Sequence, residues 1–208
     1  MEKYSVLIIA GPSGVGKTAV AKAVIEKDAR FTFLRSATTR KVRGDKHDDE
    51  YLYCTTDEFK ALIDEGKMLE HMVYDGNMYG TPHSEVERAH KEGKIPLLVL
   101  DLNGVEALYH NPNISACAVY LYAEKDVIYS RLVGRDGKDM SRVESRLLRN
   151  REDYARLPSV AECFYAISAN EGGLCECRDE VMEIYHSFEM GVPRKPDTDD
   201  AIAKIVRE

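Results

Sequence analysis

The stretch GPSGVGKT, Gly11 to Thr18, directly follows the apolar run YSVLIIA. Glycine weakens helix and strand alike, so this spacing signals a backbone that something approaches closely. Gly11, Gly16, Lys17 and Thr18 satisfy the pattern G-x-x-x-x-G-K-[ST]. In such a loop, here Gly11, Pro12, Ser13, Gly14, Val15 and Gly16, main-chain N–H groups point inward at one anion. The following helix adds its positive N-terminal end. Lys17 can reach the β- and γ-phosphates, and the Thr18 hydroxyl can ligate Mg²⁺. The context fits. Tyr4–Ala10 is short, apolar and branched, the signature of a buried strand. KTAVAKAVIEKD reads as a helix with Ala19, Val20, Ala23 and Val24 on one face. The bland alternative is a glycine turn with a solvated lysine. The motif points to a nucleoside triphosphate with Mg²⁺, a requirement that switch GTPases, motors and small-molecule kinases share.

The rest of the chain alternates strand and helix patterns. FTFLRSATTR and DEYLYCT read as strands, the first as one run. TTDEFKALIDEG reads as a helix capped by Thr56 or Asp57 and stopped near Gly66. HSEVERAHKEG is a short helix ended by Gly93, and IPLLVLDLNG a buried strand ending in Asp101. ISACAVYLYA and CFYAISAN are further strands. EKDVIYSRLVGRDG is a helix breaking at Gly134 to Gly137, and DMSRVESRLLRNREDYARL a long charged one. LCECRDEVMEIYHSF closes the series, followed by a linker, GVPRKPDTDD, and a short helix. This order predicts an α/β fold with a mainly parallel sheet and ligands at the strands' carboxyl ends.

With 208 residues and 44% hydrophobic composition, the chain can bury one sizeable core with a smaller subdomain. Its net charge of −7 disfavours nucleic acid as a partner, because phosphate neutralisation drives that binding. Its apolar runs fall short of the roughly 20 residues a membrane helix needs. The start, MEKYSVLIIAG, does not read as a signal peptide. The expectation is a cytoplasmic protein without a membrane partner. Cys54, Cys117, Cys163, Cys175 and Cys177 are an odd, scattered set, read as reduced thiols. Cys175 and Cys177 read as free thiols near a helix start rather than as metal ligands.

AGPSGVGKT, RSATTRKVRGD, DEYLY, GKMLEHMVYDGNMYGT and LVLDLNGV, in this order, resemble the guanylate kinase family. RLVGRDGKDMSRVESRL is similar to that family's lid, and the resemblance spans residues 4 to 187. It implies a three-layer P-loop NTPase fold with a parallel core sheet, a small mixed-β GMP-binding subdomain and a helical lid. The implied division is a core of about 1–35, 95–125 and 160–190, a GMP-binding region of about 36–90, a lid of about 130–156 and a tail of 191–208. By the resemblance, Arg40, Arg43, Tyr51 and Tyr79 hold the phosphate of GMP, and two guanidinium forks with a phenol suit that dianion. Glu70 matches the guanine-reading carboxylate, which accepts two donors that adenine lacks. Ser36, Gly80 and Thr81 sit beside the base, and Asp101 matches a further position near it. Arg43, Arg135 and Arg146, with Lys17, are the implied charge clamp at the transferring phosphoryl group. Arg131 and Asn170 are implied on the ATP side.

Two departures stand out. The family's strand-end D-x-D has Val99 at its first position here, which shifts any duty of that acid to Asp101. The stretch from Arg40 to Tyr51 is one residue shorter. Arg142, Arg149 and Arg151 alternate with acids at helical spacing and read as solvated pairs. The implied reaction is ATP plus GMP to ADP plus GDP, with dGMP as a further acceptor and the protein a monomer or homodimer. The rival readings are a kinase for another phosphorylated small molecule and a non-catalytic phosphopeptide-binding module.

Overall fold

The computed structural model describes residues 3–42, 51–74, 76–137, 139–170, 173–195 and 197–207. In chain order it runs β1 (Tyr4–Ala10), α1 (Lys17–Lys27), β2 (Phe31–Phe33), β3 (Ser36–Thr38), β4 (Tyr51–Tyr53), α2 (Thr56–Asp64), β5 (Met68–Tyr74) and β6 (Asn77–Pro82). It continues with α3 (His83–Lys91), β7 (Ile95–Val99), α4 (Leu102–Tyr109), β8 (Ile114–Tyr122), α5 (Lys125–Asp136) and α6 (Met140–Arg156). A 3₁₀ turn over Leu157–Cys163 leads to β9 (Ala166–Ala169), α7 (Leu174–Glu189) and α8 (Thr198–Arg207).

The core sheet is parallel, in the order β2-β7-β1-β8-β9. The central strand β1 pairs on both sides, Leu7 with Leu97 and with Cys117. Val6 through Ala10 are fully buried, as a strand covered on both faces requires. Val6, Ile8 and Ala10 pack with Val86 and Ala89 of α3 and Val105 and Leu108 of α4. Leu7 and Ile9 face the other way, onto Val20 and Val24 of α1 and Val181 and Tyr185 of α7. The period-two alternation of one heptapeptide thus builds a three-layer α/β fold, as expected. A second, mixed sheet has the order β4-β3-β6-β5, with β3 and β4 parallel and the rest antiparallel.

Several local readings need correction. FTFLRSATTR is two strands: β2 belongs to the parallel sheet and β3 to the mixed one, with Leu34 and Arg35 between them. The cap of α2 is Thr55, whose side chain accepts from the Glu58 N–H while Glu58 reaches back to the Thr55 N–H, a capping box. Asp101 does not end a strand. It caps α4, a helix that the Asn103-Gly104 pair disguised as a turn. Ala19 is exposed, and Ala21 takes the buried place beside Val20. Helix α5 runs through Gly134 and stops at Gly137, where a β-carbon would lie 2.2 Å from the Val133 carbonyl oxygen. The tail is docked rather than loose: Ile202 of α8 is fully buried in the core cluster with Val160 and Cys163.

The step from β2 to β3 is gripped by Glu85 of α3, whose side chain is 4% exposed. It accepts from the Arg35 main-chain N–H at 3.1 Å and from the Arg35 guanidinium at 2.7 Å. Arg88 adds a third partner at 3.0 Å and donates onward to the Phe33 carbonyl. Burial pushes the Glu85 carboxyl up, but the hydrogen bonds from Arg35 and Arg88 outweigh it and hold its pKa at about 2. The contribution is therefore present above the ordinary value of 4.5 and lost as pH falls from there through about 2. Glu85→Ala is expected to cost about 3 kcal/mol in urea unfolding at pH 7. It should also remove the pH dependence of stability in that acid window.

Candidate active site

The glycine loop forms because three residues take backbone angles that side chains resist. Gly11, Gly14 and Gly16 have φ of 141°, 90° and 102°. A β-carbon at Gly11 would stand 2.3 Å from the Leu121 carbonyl oxygen, so the loop leaves β1 pressed against β8. Fully buried Val15 anchors the loop below, and α1 starts at once from Gly16. The Lys17 amine lies inside the curl and donates to the Gly11 carbonyl at 2.7 Å and the Pro12 carbonyl at 3.0 Å. Thr18 follows in the first helical turn.

The loop is braced from three directions. The Arg131 guanidinium of α5 donates to the Val15 carbonyl at 3.0 Å, and the Asn170 amide beyond β9 donates to the same oxygen at 2.7 Å. From α6, Arg146 donates to the Ser13 hydroxyl at 3.0 Å. Asn150, 4% exposed, accepts from the Ser13 N–H at 2.7 Å and donates to the Ser13 carbonyl at 3.0 Å. The sequence reading put Arg131 and Asn170 on the ATP side and Arg146 in the charge clamp, and passed over Asn150. Its signal was faint: one neutral amide in RLLRNRED, a run read as a solvated face.

Two oppositely charged groups converge here. Arg135 and Arg146 share one carboxylate, Asp136, at 3.2 and 3.0 Å. Asp136 was not anticipated. Arg142 pairs with Asp139 at 3.3 Å, as the solvated-pair reading expects. Burial pushes the Lys17 amine down to about 8. Asp153 opposes that, Arg135 and Arg146 reinforce it, and Asp101 opposes it. Asp153, on α6, is itself pushed up by burial and by Asp101. It too escaped the sequence reading.

On the mixed sheet, Thr81 of β6 stands opposite Glu70 of β5 and donates its hydroxyl to the Glu70 carboxylate at 2.7 Å. The pairing shifts between Met68 and Glu70: β5 advances two residues while β6 advances one, from Pro82 to Thr81. Such a bulge re-aims the side chains that follow it. Gly80 is obligatory beside it, since a β-carbon there would lie 2.7 Å from the Glu70 carbonyl oxygen. Burial pushes the half-buried Glu70 carboxyl up, and Asp101 adds to this against the Thr81 hydrogen bond. Asp101 donates nothing; its Oδ1 accepts from the Gly104 N–H at 2.9 Å. Its charge is felt at Lys17 and at Glu70.

Arg40 is buried and donates to the Tyr53 hydroxyl at 2.9 Å. Its guanidinium carbon lies 4.9 Å from the Tyr51 ring centroid, and the Tyr51 and Tyr79 rings are 6.1 Å apart. The expected group of Arg40, Tyr51 and Tyr79 therefore assembles on one patch, with Tyr53 as an added member. Ser36 pairs in register with Tyr51 at its edge. Arg43 lies outside the described residues.

A family model described as guanylate kinase matches residues 3–171. The chain is 36% identical over 148 residues to a guanylate kinase of Helicobacter pylori (strain ATCC 700392 / 26695), covering 70% of this chain and 71% of that one. The chain belongs to the guanylate kinase family. A guanylate kinase of Lactococcus lactis subsp. lactis (strain IL1403) is 33% identical over 167 residues, covering 80% of each chain. The crystal structure of guanylate kinase from Anaplasma phagocytophilum superposes with a TM-score of 0.65, covering 97% of this chain and 94% of that one at 22% identity, and shares the fold. The chain is thus a guanylate-kinase-family enzyme. Among the described residues its helices include none long and apolar enough to cross a membrane.

Proposed function

We propose that this enzyme transfers the γ-phosphoryl group of ATP to GMP or dGMP, releasing ADP and the guanosine diphosphate. The observation that carries the reading is a half-buried carboxylate, Glu70, held by the Thr81 hydroxyl, in a chain whose glycine loop encloses the Lys17 amine. A phosphate cradle alone would serve many enzymes. A half-buried carboxylate braced by Thr81 suits guanine, whose N1–H and N2–H₂ form a donor pair. Ser36 and Gly80 complete the base edge. Arg40, Arg43, Tyr51 and Tyr79 hold the monophosphate.

The loop N–H groups and Lys17 hold the β- and γ-phosphates, with Arg131 and Asn170 bracing the loop. A GMP phosphate is already largely dianionic at neutral pH, so it attacks without a general base. One of its oxygens bonds to the γ-phosphorus as the bond to the β-phosphate oxygen breaks. Charge on the transferring group is met by Lys17, Arg43, Arg135 and Arg146, in line with the two oxygens. Thr18 would hold Mg²⁺ through its hydroxyl, and the negative charge felt at Lys17 comes from Asp153 and Asp101, with none from Val99. When bound with ATP, the metal neutralises phosphate charge. The core, the mixed sheet with α2 and α3, and the α5–α6 arm correspond in this reading to catalytic core, GMP-binding region and lid.

The test is ADP release from ATP and Mg²⁺ with GMP, dGMP, AMP, UMP or CMP at equal concentration. Turnover with GMP and dGMP, and little with the rest, is the expected result. Turnover with a different acceptor would keep the loop's role and overturn that of Glu70. ATP binding without turnover of any acceptor would favour a phosphopeptide-binding module.

A further inference from the structure

We infer that Asn150 is a positioning residue: it sets the glycine loop in its phosphate-binding shape and couples that shape to the placement of α6. The inference rests on the proposed ATP-binding role of the loop. Asn150 lies on the packed face of α6, two turns after buried Val143. A polar side chain there is costly unless both halves of its amide are satisfied, and an apolar residue of similar volume would pack as well. Both halves are satisfied by one residue, Ser13, through its N–H at 2.7 Å and its carbonyl at 3.0 Å.

Ser13 sits between Pro12 and Gly14 in a segment that is neither helix nor strand, so no ladder fixes its peptide groups. Its neighbour Gly14 has a φ of 90°, a value that other segments of an unbraced glycine chain leave freely. Asn150 supplies what a neighbouring strand would supply: an acceptor and a donor in one plane. Arg146, one turn earlier on α6, takes the Ser13 hydroxyl at 3.0 Å. One helix face therefore grips a single loop residue at three points. Anything that ties the loop to a triphosphate favours this placement of α6, and by linkage the placement of α6 favours the triphosphate.

The experiment compares the wild-type chain with Asn150→Ala and Asn150→Asp by equilibrium titration of ATP and, separately, of GMP. Asn150→Asp keeps the side-chain volume and the acceptor for the Ser13 N–H but loses the donor to its carbonyl. Amide exchange at Ser13 and the melting temperature are read on the same samples. The expected result is an ATP Kd raised about tenfold in both variants, about 1.4 kcal/mol. GMP Kd should stay within about twofold, because Asn150 bonds to the loop and not to the mixed sheet. Ser13 should exchange faster in Asn150→Ala. An unchanged ATP Kd in a folded variant overturns the inference, as does an equal loss for ATP and GMP, which marks a merely structural role. If wild-type protein binds no ATP, the proposed function falls first and the inference with it. Wild-type binding with unaffected variants overturns the inference alone.

Discussion

Lys17→Met is expected to lower kcat for ADP formation from ATP and GMP by about 10²–10³-fold while leaving Tm unchanged or higher. The loss follows from removing the lysine whose amine lies inside the glycine curl. The absence of a stability loss follows from its titration. Burial, with Arg135 and Arg146, lowers this amine from 10.5 to about 8 in the folded chain. Between those values the unfolded chain holds more protons than the folded one, so wild-type stability rises with pH across that window. At pH 7 the folded chain carries an unfavourable buried charge that methionine lacks. A coupled ADP assay and thermal melts at several pH values check both halves. In the variant, the rise in stability between about pH 8 and 10.5 should flatten. In the wild type, ATP affinity should weaken as pH climbs past about 8 and the amine discharges. A variant that melts far below the wild type would make Lys17 a structural pin of the loop instead.

Glu70→Gln carries the second large effect, and it splits stability from activity in the same direction. An amide keeps an oxygen for the Thr81 hydroxyl, but it turns a donor toward the donors of guanine. Losing two charge-assisted hydrogen bonds predicts a fall of about 10²–10⁴ in kcat/KM for GMP. The preference for GMP over AMP should shrink by a comparable factor, which acceptor competition measures. Stability should move the other way. Burial and Asp101 raise the Glu70 carboxyl in the folded chain. Above its ordinary value of 4.5 the folded chain therefore holds the extra proton, and wild-type stability falls as pH rises into that window. Glutamine has no charge to bury, so the variant should be the more stable at pH 7. Unchanged GMP kinetics would remove Glu70 from the base-reading role.

The parts of the site that lie within a few consecutive residues were legible in the sequence. GPSGVGKT after YSVLIIA states its own strand, loop and helix, because the glycines, the lysine and the helix start are all local. The cap of α2 was equally local, but it was read at Thr56 or Asp57, one or two residues late, and its pairing with Glu58 was not read. What escaped was decided at a distance. FTFLRSATTR carries no break residue at Leu34 or Arg35; the split comes from Glu85, whose partner lies 50 residues away. Asn150 looks like a surface amide until Ser13, 137 residues earlier, is set against it. Asp136 falls where the sequence reading broke α5, and Asp153 reads as an ordinary acid in a charged helix. Their meaning depends on which arginines and which lysine the fold brings beside them. The proposed base-reading role of Glu70 and Thr81 came from resemblance, and the hairpin that makes them neighbours was not drawn from periodicity.

The bulge between Met68 and Glu70 gives the number of residues in β5 a meaning of its own. Deleting one codon for Leu69 would restore a regular ladder and leave every remaining residue chemically intact. It would keep Glu70 opposite Thr81 and turn the stretch before it, Met68 included, to the other face, since side chains alternate along a strand. Chain length at this point thus sets how the strand entering the hairpin is presented to the core, in which Leu69 is buried. Over evolutionary time, a gain or loss of one residue at this point would be felt in the packing beneath the hairpin before it was felt at Glu70.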